Sequence, residues 1–577
     1  MHVLNLGEPW ILASSSEKIR GLNIDDLHFR DTTQFFNLSL SNLVETLLTS
    51  GGESAFLCTR QMFDDRFRCL LKKGVYPYTF VDSFEAYDLP ALPPKEAFKN
   101  DLNNEDISDE DYQYARDIFE YFECSNPGDH TRLYVTLDTC QLCDVVLYFR
   151  KITLETNAID ILRTVSLASY AWSSALKLTK VKLELMSDRE MYETIEKGIR
   201  GGICNSFHRY CRPNHEGCDD YDPQQEKKLI QYLDVNSLYA YAMTFHLPTG
   251  GFKWVDPSSL GDIDFLKIPH DSEVGYVYVV DLSNPEELHA LMRNFPLAPE
   301  HRTVDEGELS PYQRNLKEAL ALNAPPRRKL LLICYDKESY VVHYYLHALY
   351  VRLGMKIKHI HAILSFRQDN FLSVFVHRNL ALRNVSTTKF ERLLYKTITN
   401  STFGKTIQNV RRMKRYTIAY DKESALKKAS AVDFQHFHIL SDKCILYEMK
   451  QRRIKCTHPI YVGFAILEIS KVRMYSSIYE SLFSHLSCSV QLIYGDTDSI
   501  IFALTCESLV EQLMEIQHEL DLSSYPPDHP LFNAEHANQI GYFKDETGGG
   551  DTCYTKCTEI LYSMKGQSVR SSAPSRA

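Results

Sequence analysis

Tyr494-Gly495-Asp496-Thr497-Asp498-Ser499 lies between two β-branched runs, Cys488-Ser489-Val490-Gln491-Leu492-Ile493 before it and Ile500-Ile501-Phe502-Ala503-Leu504 after it. Period-2 patterning on both flanks predicts strand, turn, strand. Side chains alternate along a strand, so Asp496 and Asp498 share a face if the chain stays extended through Thr497. Carboxylates that close raise each other's pKa unless a cation lies between them. An Asp-Thr-Asp turn standing alone reads as solvated surface. The apolar strands on both sides and the aromatic entry at Tyr494 favour a divalent-metal site.

Two further stretches precede it. Asp234 ends the predicted strand Leu229-Ile230-Gln231-Tyr232-Leu233 and is followed by Val235-Asn236-Ser237-Leu238-Tyr239. A strand-end carboxylate before a tight turn can offer a side chain and a backbone carbonyl to one cation, although such aspartates are commonly turn formers. From Phe390 to Lys405 the pattern is helical, with Arg392, Lys396, Asn400 and Phe403 at i, i+4, i+8 and i+11. They form one stripe of two cations, an amide and a ring over a packed face of Leu393, Leu394 and Ile398. A solvated charged face is the plain reading. The same stripe also suits a nucleoside triphosphate, with charge for the phosphates and a ring for base or sugar.

Taken in this order, the three stretches resemble the motifs of the family B DNA polymerases. Tyr232 to Tyr239 is similar to motif A (DxxSLYP, with Ala240 for the proline), Lys396 to Gly404 to motif B (KxxxNSxYG, with Phe403 for the tyrosine), and Tyr494 to Ser499 to motif C, YxDTDS. The resemblance extends over nearly the whole chain. It points to the protein-primed branch, of organellar, viral and self-synthesising transposon type. It implies a mixed α/β (α+β) fold, a right-hand palm and fingers with a partial ribonuclease-H-like exonuclease domain. It also implies template-directed DNA synthesis from a primer 3′-hydroxyl with two Mg²⁺ ions, Mn²⁺ being an alternative.

The residue roles follow from the same resemblance. Asp234 and Asp498 would hold both ions with the Val235 carbonyl, Asp496 standing nearby as a third catalytic carboxylate. Arg383, Arg392 and Lys396 would neutralise the triphosphate, and Tyr239 would stack under the deoxyribose and exclude a 2′-hydroxyl. Asn400 and Phe403 would shape the nascent pair's pocket. Gly201, Gly202, Tyr494, Thr497 and Lys565 would meet DNA, Gly201-Gly202 being the branch's YxGG linker without its tyrosine. Expected partners are a DNA primer-template, deoxynucleoside triphosphates and a terminal-protein primer.

The resemblance divides the chain into a partial exonuclease-like domain (1–150), a linker and first palm part (151–252) and an insertion like the terminal-protein-binding region (253–355). Fingers (356–415), a second small insertion (416–455), the second palm part (456–546) and a shortened thumb start (547–577) follow. Tyr134 and Asp138 look like the third exonuclease motif, YxxxD. The DxE strand and second Asp expected upstream are not found, so proofreading is expected to be absent. Near the other end Lys565 stands in a KxY-like stretch with Gln567 for the tyrosine. A chain shortened at both ends raises the alternative of a catalytically inert, nucleic-acid-binding remnant.

Bulk properties set outer bounds. With 577 residues and 44% hydrophobic content, the chain can bury several cores, and two to four domains are expected. No apolar run approaches membrane-spanning length and no secretory leader pattern opens the chain. A transposon-type replication enzyme would act inside the cell, in the nucleus rather than the mitochondrion. The fifteen cysteines lack framework spacing and fit a reducing compartment. A net charge of -11 gives no general nucleic-acid footprint, though Lys405, Arg411, Arg412, Lys414 and Arg415 form a local basic run. Cys204, Cys211 and Cys218, with His208 and His215, invite a zinc reading, but their spacing is not the C-x₂₋₄-C of structural sites. Cys140 and Cys143 form a CxxC in a helix-like run, and Gly548-Gly549-Gly550 reads as a turn rather than a phosphate loop.

Overall fold

The computed structural model describes residues 9–546 except 14, 16–17, 37, 102–103, 209, 219–220, 257–265 and 322–326, and only the backbone of Arg412 and of residues 563–564 and 567–568. Helix and sheet are mixed throughout, as expected. Two compact units are present: residues 1–178, 377–402 and 409–455 form one, and 179–376, 403–408 and 456–577 the other. Among the described residues no helix is long and apolar enough to cross a membrane.

The first unit carries a six-stranded sheet made from two distant stretches. Trp10–Ala13 pairs with Ile19–Ile24 on one side and with Arg415–Ala419 on the other, Ile11 standing opposite Tyr416. Ile11, Ala13, Tyr416, Ile418, Cys444 and Leu446 alternate inward and make its core. The helical part centres on Pro127–Asn157. Asn126 caps it and Pro127 occupies its first turn, where a missing N–H costs nothing. The buried Asp144 on this helix accepts from the backbone N–H groups of Cys58 and Thr59 and from the Thr59 hydroxyl. The helical pattern from Phe390 to Lys405 is the helix Lys389–Thr406, and residues 386–388 separate it from a preceding helix, Ser373–Val385. Phe390 packs on Tyr148 and Phe149, and Arg378 donates to the Thr156 carbonyl, which docks these helices on Pro127–Asn157.

The second unit holds another six-stranded sheet, in the order Leu520–Asp521, Phe543–Asp545, Lys228–Val235, Ser499–Thr505, Ser489–Asp496, Cys204–Ser206. A four-stranded antiparallel sheet of Lys337–His343, Val274–Ser283, Lys356–Asp369 and Leu247–Val255 lies in the same unit. Helix Ile460–Ser476 is apolar nearly all round and buried along almost its whole length, as such helices are. Its two charges at i, i+3, Glu468 and Lys471, pair at 3.1 Å with almost no exposure. Lys471 also donates to the Arg200 carbonyl at 2.9 Å. The Arg200 guanidinium lies 3.7 Å from the centre of the Tyr340 ring and donates to the Val341 carbonyl. Burial pulls the Lys471 pKa below its ordinary value, Glu468 opposing the shift. Breaking such a pair costs about 3–5 kcal/mol, because the remaining charge is stranded.

Candidate active site

Register in the second unit's six-stranded sheet brings the carboxylates together. On Lys228–Val235, Leu229, Gln231, Leu233 and Val235 are buried, while Tyr232 and Asp234 are half-buried on the other face. Asp234 stands opposite Ser499, and Ser499 stands opposite Asp496. Directly opposed residues on neighbouring strands project to the same face, so Asp234, Ser499 and Asp496 form a row across three strands. Asp234 does not end its strand, which runs through Val235.

The hairpin corrects one expectation. The chain does not stay extended through Asp496, Thr497 and Asp498. Thr497 and Asp498 are a two-residue turn between Ser489–Asp496 and Ser499–Thr505, with Thr497 at φ +64°. Positive φ at the first loop position matches the twist of tight hairpins. Asp498 therefore sits at the tip and not on the row. It is tied back to the row's first strand, because its carbonyl accepts from the Val235 N–H at 2.8 Å.

The same tip is fixed from the linker. The Thr497 N–H donates to the Ile203 carbonyl at 2.7 Å. A Cβ added to Gly202 would lie 2.4–2.8 Å from three Thr497 side-chain atoms, whereas one added to Gly201 would meet nothing within 4 Å. Gly202 thus admits the hairpin tip, and Gly201 is exposed with open space beside it. Tyr494 is half-buried, its hydroxyl 3.4 Å from Cys204 Sγ.

Tyr239 and Phe403 stack at 4.3 Å between centroids and 17° between planes. The Tyr239 phenol is pushed up to about 12, by burial first and then by the Asp498 and Asp496 carboxylates. That coupling places the stacked pair beside the acidic row. Burial likewise lowers the pKa of Lys405, two residues beyond Phe403, and its ammonium donates to Gln408 Oε1 at 2.7 Å. Arg392, Lys396 and Asn400 lie on the first unit's part of Lys389–Thr406 and are exposed, with Arg383 half-buried on the preceding helix. Arg392 Nε donates to the Ser386 carbonyl at 3.0 Å, which stitches the two helices across their break.

Oxygen-only donors suit Mg²⁺ or Mn²⁺. Among the described residues no three His, Cys, Asp or Glu side chains close into a ready-made cage. That gives the Cys204, Cys211 and Cys218 reading no support. Cys204 lies on a strand and Cys218 is buried, while His208 Nδ1 bonds the Leu492 carbonyl and His215 Nδ1 accepts from the Gly217 N–H.

Tyr134 and Asp138 lie in the first unit, one turn apart on Pro127–Asn157. Lys73 pairs with Asp138 at 3.4 Å and donates to the Tyr134 hydroxyl, which also bonds Tyr78 at 2.5 Å. Lys565 and the Gly548–Gly550 run lie outside the described residues. Sequence reading missed Ser499, the centre of the acidic row, and the anchoring of Asn236. Both depend on strand register between residues far apart in the chain.

The profile of the family described as DNA polymerase type B, organellar and viral, matches residues 26–481. A curated protein of Ascobolus immersus, "Probable DNA polymerase", is 26% identical over 184 residues, which is 31% of this chain and 14% of that protein's length. Phi29 DNA polymerase in its orthorhombic crystal form aligns with 93% of this chain and 69% of its own, at 12% identity and a TM-score of 0.48. Its ternary complex with primer-template DNA and incoming nucleotides aligns at 12% identity and a TM-score of 0.44, over 92% of this chain and 69% of that one.

Proposed function

The chain belongs to the organellar and viral type B DNA polymerases, and from that premise we propose that it extends a primer 3′-hydroxyl with deoxynucleotides under the direction of a DNA template. The observation that carries this reading is the row Asp234, Ser499, Asp496 with Asp498 tied to its edge through Val235. Asp234, Asp498 and the Val235 carbonyl would hold a pair of Mg²⁺ ions, with Asp496 beside them. Such ions activate the attacking hydroxyl and stabilise the departing pyrophosphate. The chain's own residues do the rest. Tyr239, stacked on Phe403, would form the floor under a deoxyribose and exclude a 2′-hydroxyl. By the same resemblance Arg383, Arg392 and Lys396 are assigned to the triphosphate and Asn400 to the nascent pair.

Priming from a protein hydroxyl, with residues 253–355 receiving the terminal protein, belongs to the same reading. So does action on a transposon-like or viral element in the nucleus. Degradation of 3′ ends from Asp138 is not part of it: Asp138 pairs with Lys73 through one oxygen, and the further carboxylates that a two-metal exonuclease site needs are not found upstream of it in the sequence. The test is primer extension with Mg²⁺ by the parent and the Asp498→Asn variant, alongside a 3′ single-strand degradation assay. Extension by the parent alone supports the reading. Equal failure of both, with DNA still bound, leaves an inert nucleic-acid-binding protein.

A further inference from the structure

Asn236, two residues after Asp234, is held at three points. Its N–H donates to the Tyr542 carbonyl and its carbonyl accepts from the Gly541 N–H, both at 2.8 Å. Its side-chain Nδ2 donates to Asp521 Oδ2, also at 2.8 Å. The backbone partners are themselves fixed. Gly541 has φ +87°, a Cβ there would lie 2.3 Å from the Tyr241 ring, and Arg473 Nε donates to its carbonyl at 2.7 Å. Arg473 is anchored in turn by Glu519 at 2.5 Å.

Asp521 is unusual in its own right. It is fully buried, on the edge strand Leu520–Asp521 of the sheet that carries the acidic row. Oδ2 accepts from Asn236 Nδ2 and the Asn538 N–H, and Oδ1 from the N–H and hydroxyl of Ser523 at 3.1 and 2.6 Å. All four donors are neutral. Burial acts to raise its pKa, but the hydrogen bonds prevail and hold the carboxyl below its ordinary value. Burying a carboxylate costs several kcal/mol, and tying down a loop could be done by an uncharged amide. What the charge adds is a stiff acceptor for Asn236, whose neighbour Val235 offers the carbonyl next to Asp234. Ser237 follows at φ +51°, a strained turn that needs such fixing.

We propose that Asp521 is a positioning residue for divalent-cation binding at the Asp234–Asp498 pair, acting through Asn236 on the Val235 carbonyl and the turn at Ser237. The inference rests on the polymerase reading for the identity of the site, but not for its test. Partners in the layer behind metal ligands orient those ligands, and their loss costs about 10–100-fold in metal affinity or activity.

The decisive measurement is Mn²⁺ titration of the full chain, followed by electron paramagnetic resonance, for the parent, Asn236→Ala, Asp521→Asn and Asp498→Asn. The Mg²⁺ concentration for half-maximal primer extension and the melting temperature are measured in parallel. Binding lost in Asp498→Asn defines the site. Asn236→Ala, which leaves Asp521 three of its donors, is expected to weaken that binding by about 10–100-fold. The Mg²⁺ requirement for extension should rise in step, with little change in melting temperature. A merely structural role would lower the melting temperature and leave the metal requirement unmoved. Parent-like Mn²⁺ affinity in Asn236→Ala overturns the proposal even if Asp521→Asn fails to fold. A parent that binds Mn²⁺ through Asp498 yet extends no primer sinks the polymerase reading alone. No Asp498-dependent binding in the parent overturns the proposal.

Discussion

Tyr134 to Asp138 and Tyr494 to Asp498 are both a tyrosine followed four residues later by an aspartate, and the two segments end in opposite chemistry. On Pro127–Asn157 the spacing puts both side chains on one helical face, where Lys73 pairs with the acid and Tyr78 with the phenol. On the hairpin the same spacing carries the chain through a turn, and the acids gain their setting from Asp234 and Ser499 on neighbouring strands. Local spacing alone does not make a metal site. Asp138 has a lysine partner within the fold, whereas the hairpin acids are the ones proposed to take up a cation.

Several outcomes would break or sharpen this contrast. The largest separates the two aspartates directly. Asp498→Asn should cut primer extension by about a hundred- to a thousandfold, the scale expected when charge stabilisation at a reacting centre is removed. Asp138→Asn should leave extension unchanged; equal losses would erase the distinction.

Acid stability comes next. Burial lowers His343 to about 3 and His347 to about 4 in the second unit, and His130 to about 4 in the first. These values lie below the ordinary histidine value near 6.5, so the unfolded chain binds more protons. Their contribution is intact above pH 6.5 and falls by about 1.4 kcal/mol per unit per histidine as pH drops towards 4. Hydrogen exchange resolved by segment should show the second unit opening more steeply than the first between pH 6.5 and 5. His343→Leu should flatten that slope.

Gly202→Ala should lower extension by about a hundredfold, the penalty of a misplacement near 1 Å, because the new Cβ meets the Thr497 side chain at the hairpin tip. Gly201→Ala should do far less if protein contact governs the pair, and a comparable loss at Gly201 would favour a direct DNA contact there. The smallest effect is expected at Lys73→Met. That change should cost about 1 kcal/mol in the first unit's stability, since the pair is partly exposed, and leave extension at the parent rate. A new metal-dependent activity at Asp138 would instead show that Lys73 had been masking a site.

How much of this was legible depended on distance along the chain. The alternation around Tyr494 to Ser499 gave the hairpin, and the spacing of Lys396 to Phe403 gave the helix, since both signals lie within a few turns or pleats. The turn itself escaped because Thr497, a β-branched residue, is a poor advertisement for positive φ. The Gly202–Thr497 contact and the Asn236–Asp521 bond join residues hundreds of positions apart, and nothing in either segment announces its partner. Lys73, which decides the fate of Asp138, sits in a loop whose only local cue is the neighbouring Gly74.

The first unit's sheet also sets a timetable. Ile11 pairs with Tyr416, so the N-terminal strands must wait while roughly 400 further residues are made, about 20–80 s at ribosomal speeds of about 5–20 residues per second. For that interval Trp10–Ala13 presents an open strand edge, an invitation to mispairing. During synthesis, then, this stretch is one that a chaperone's cover would protect.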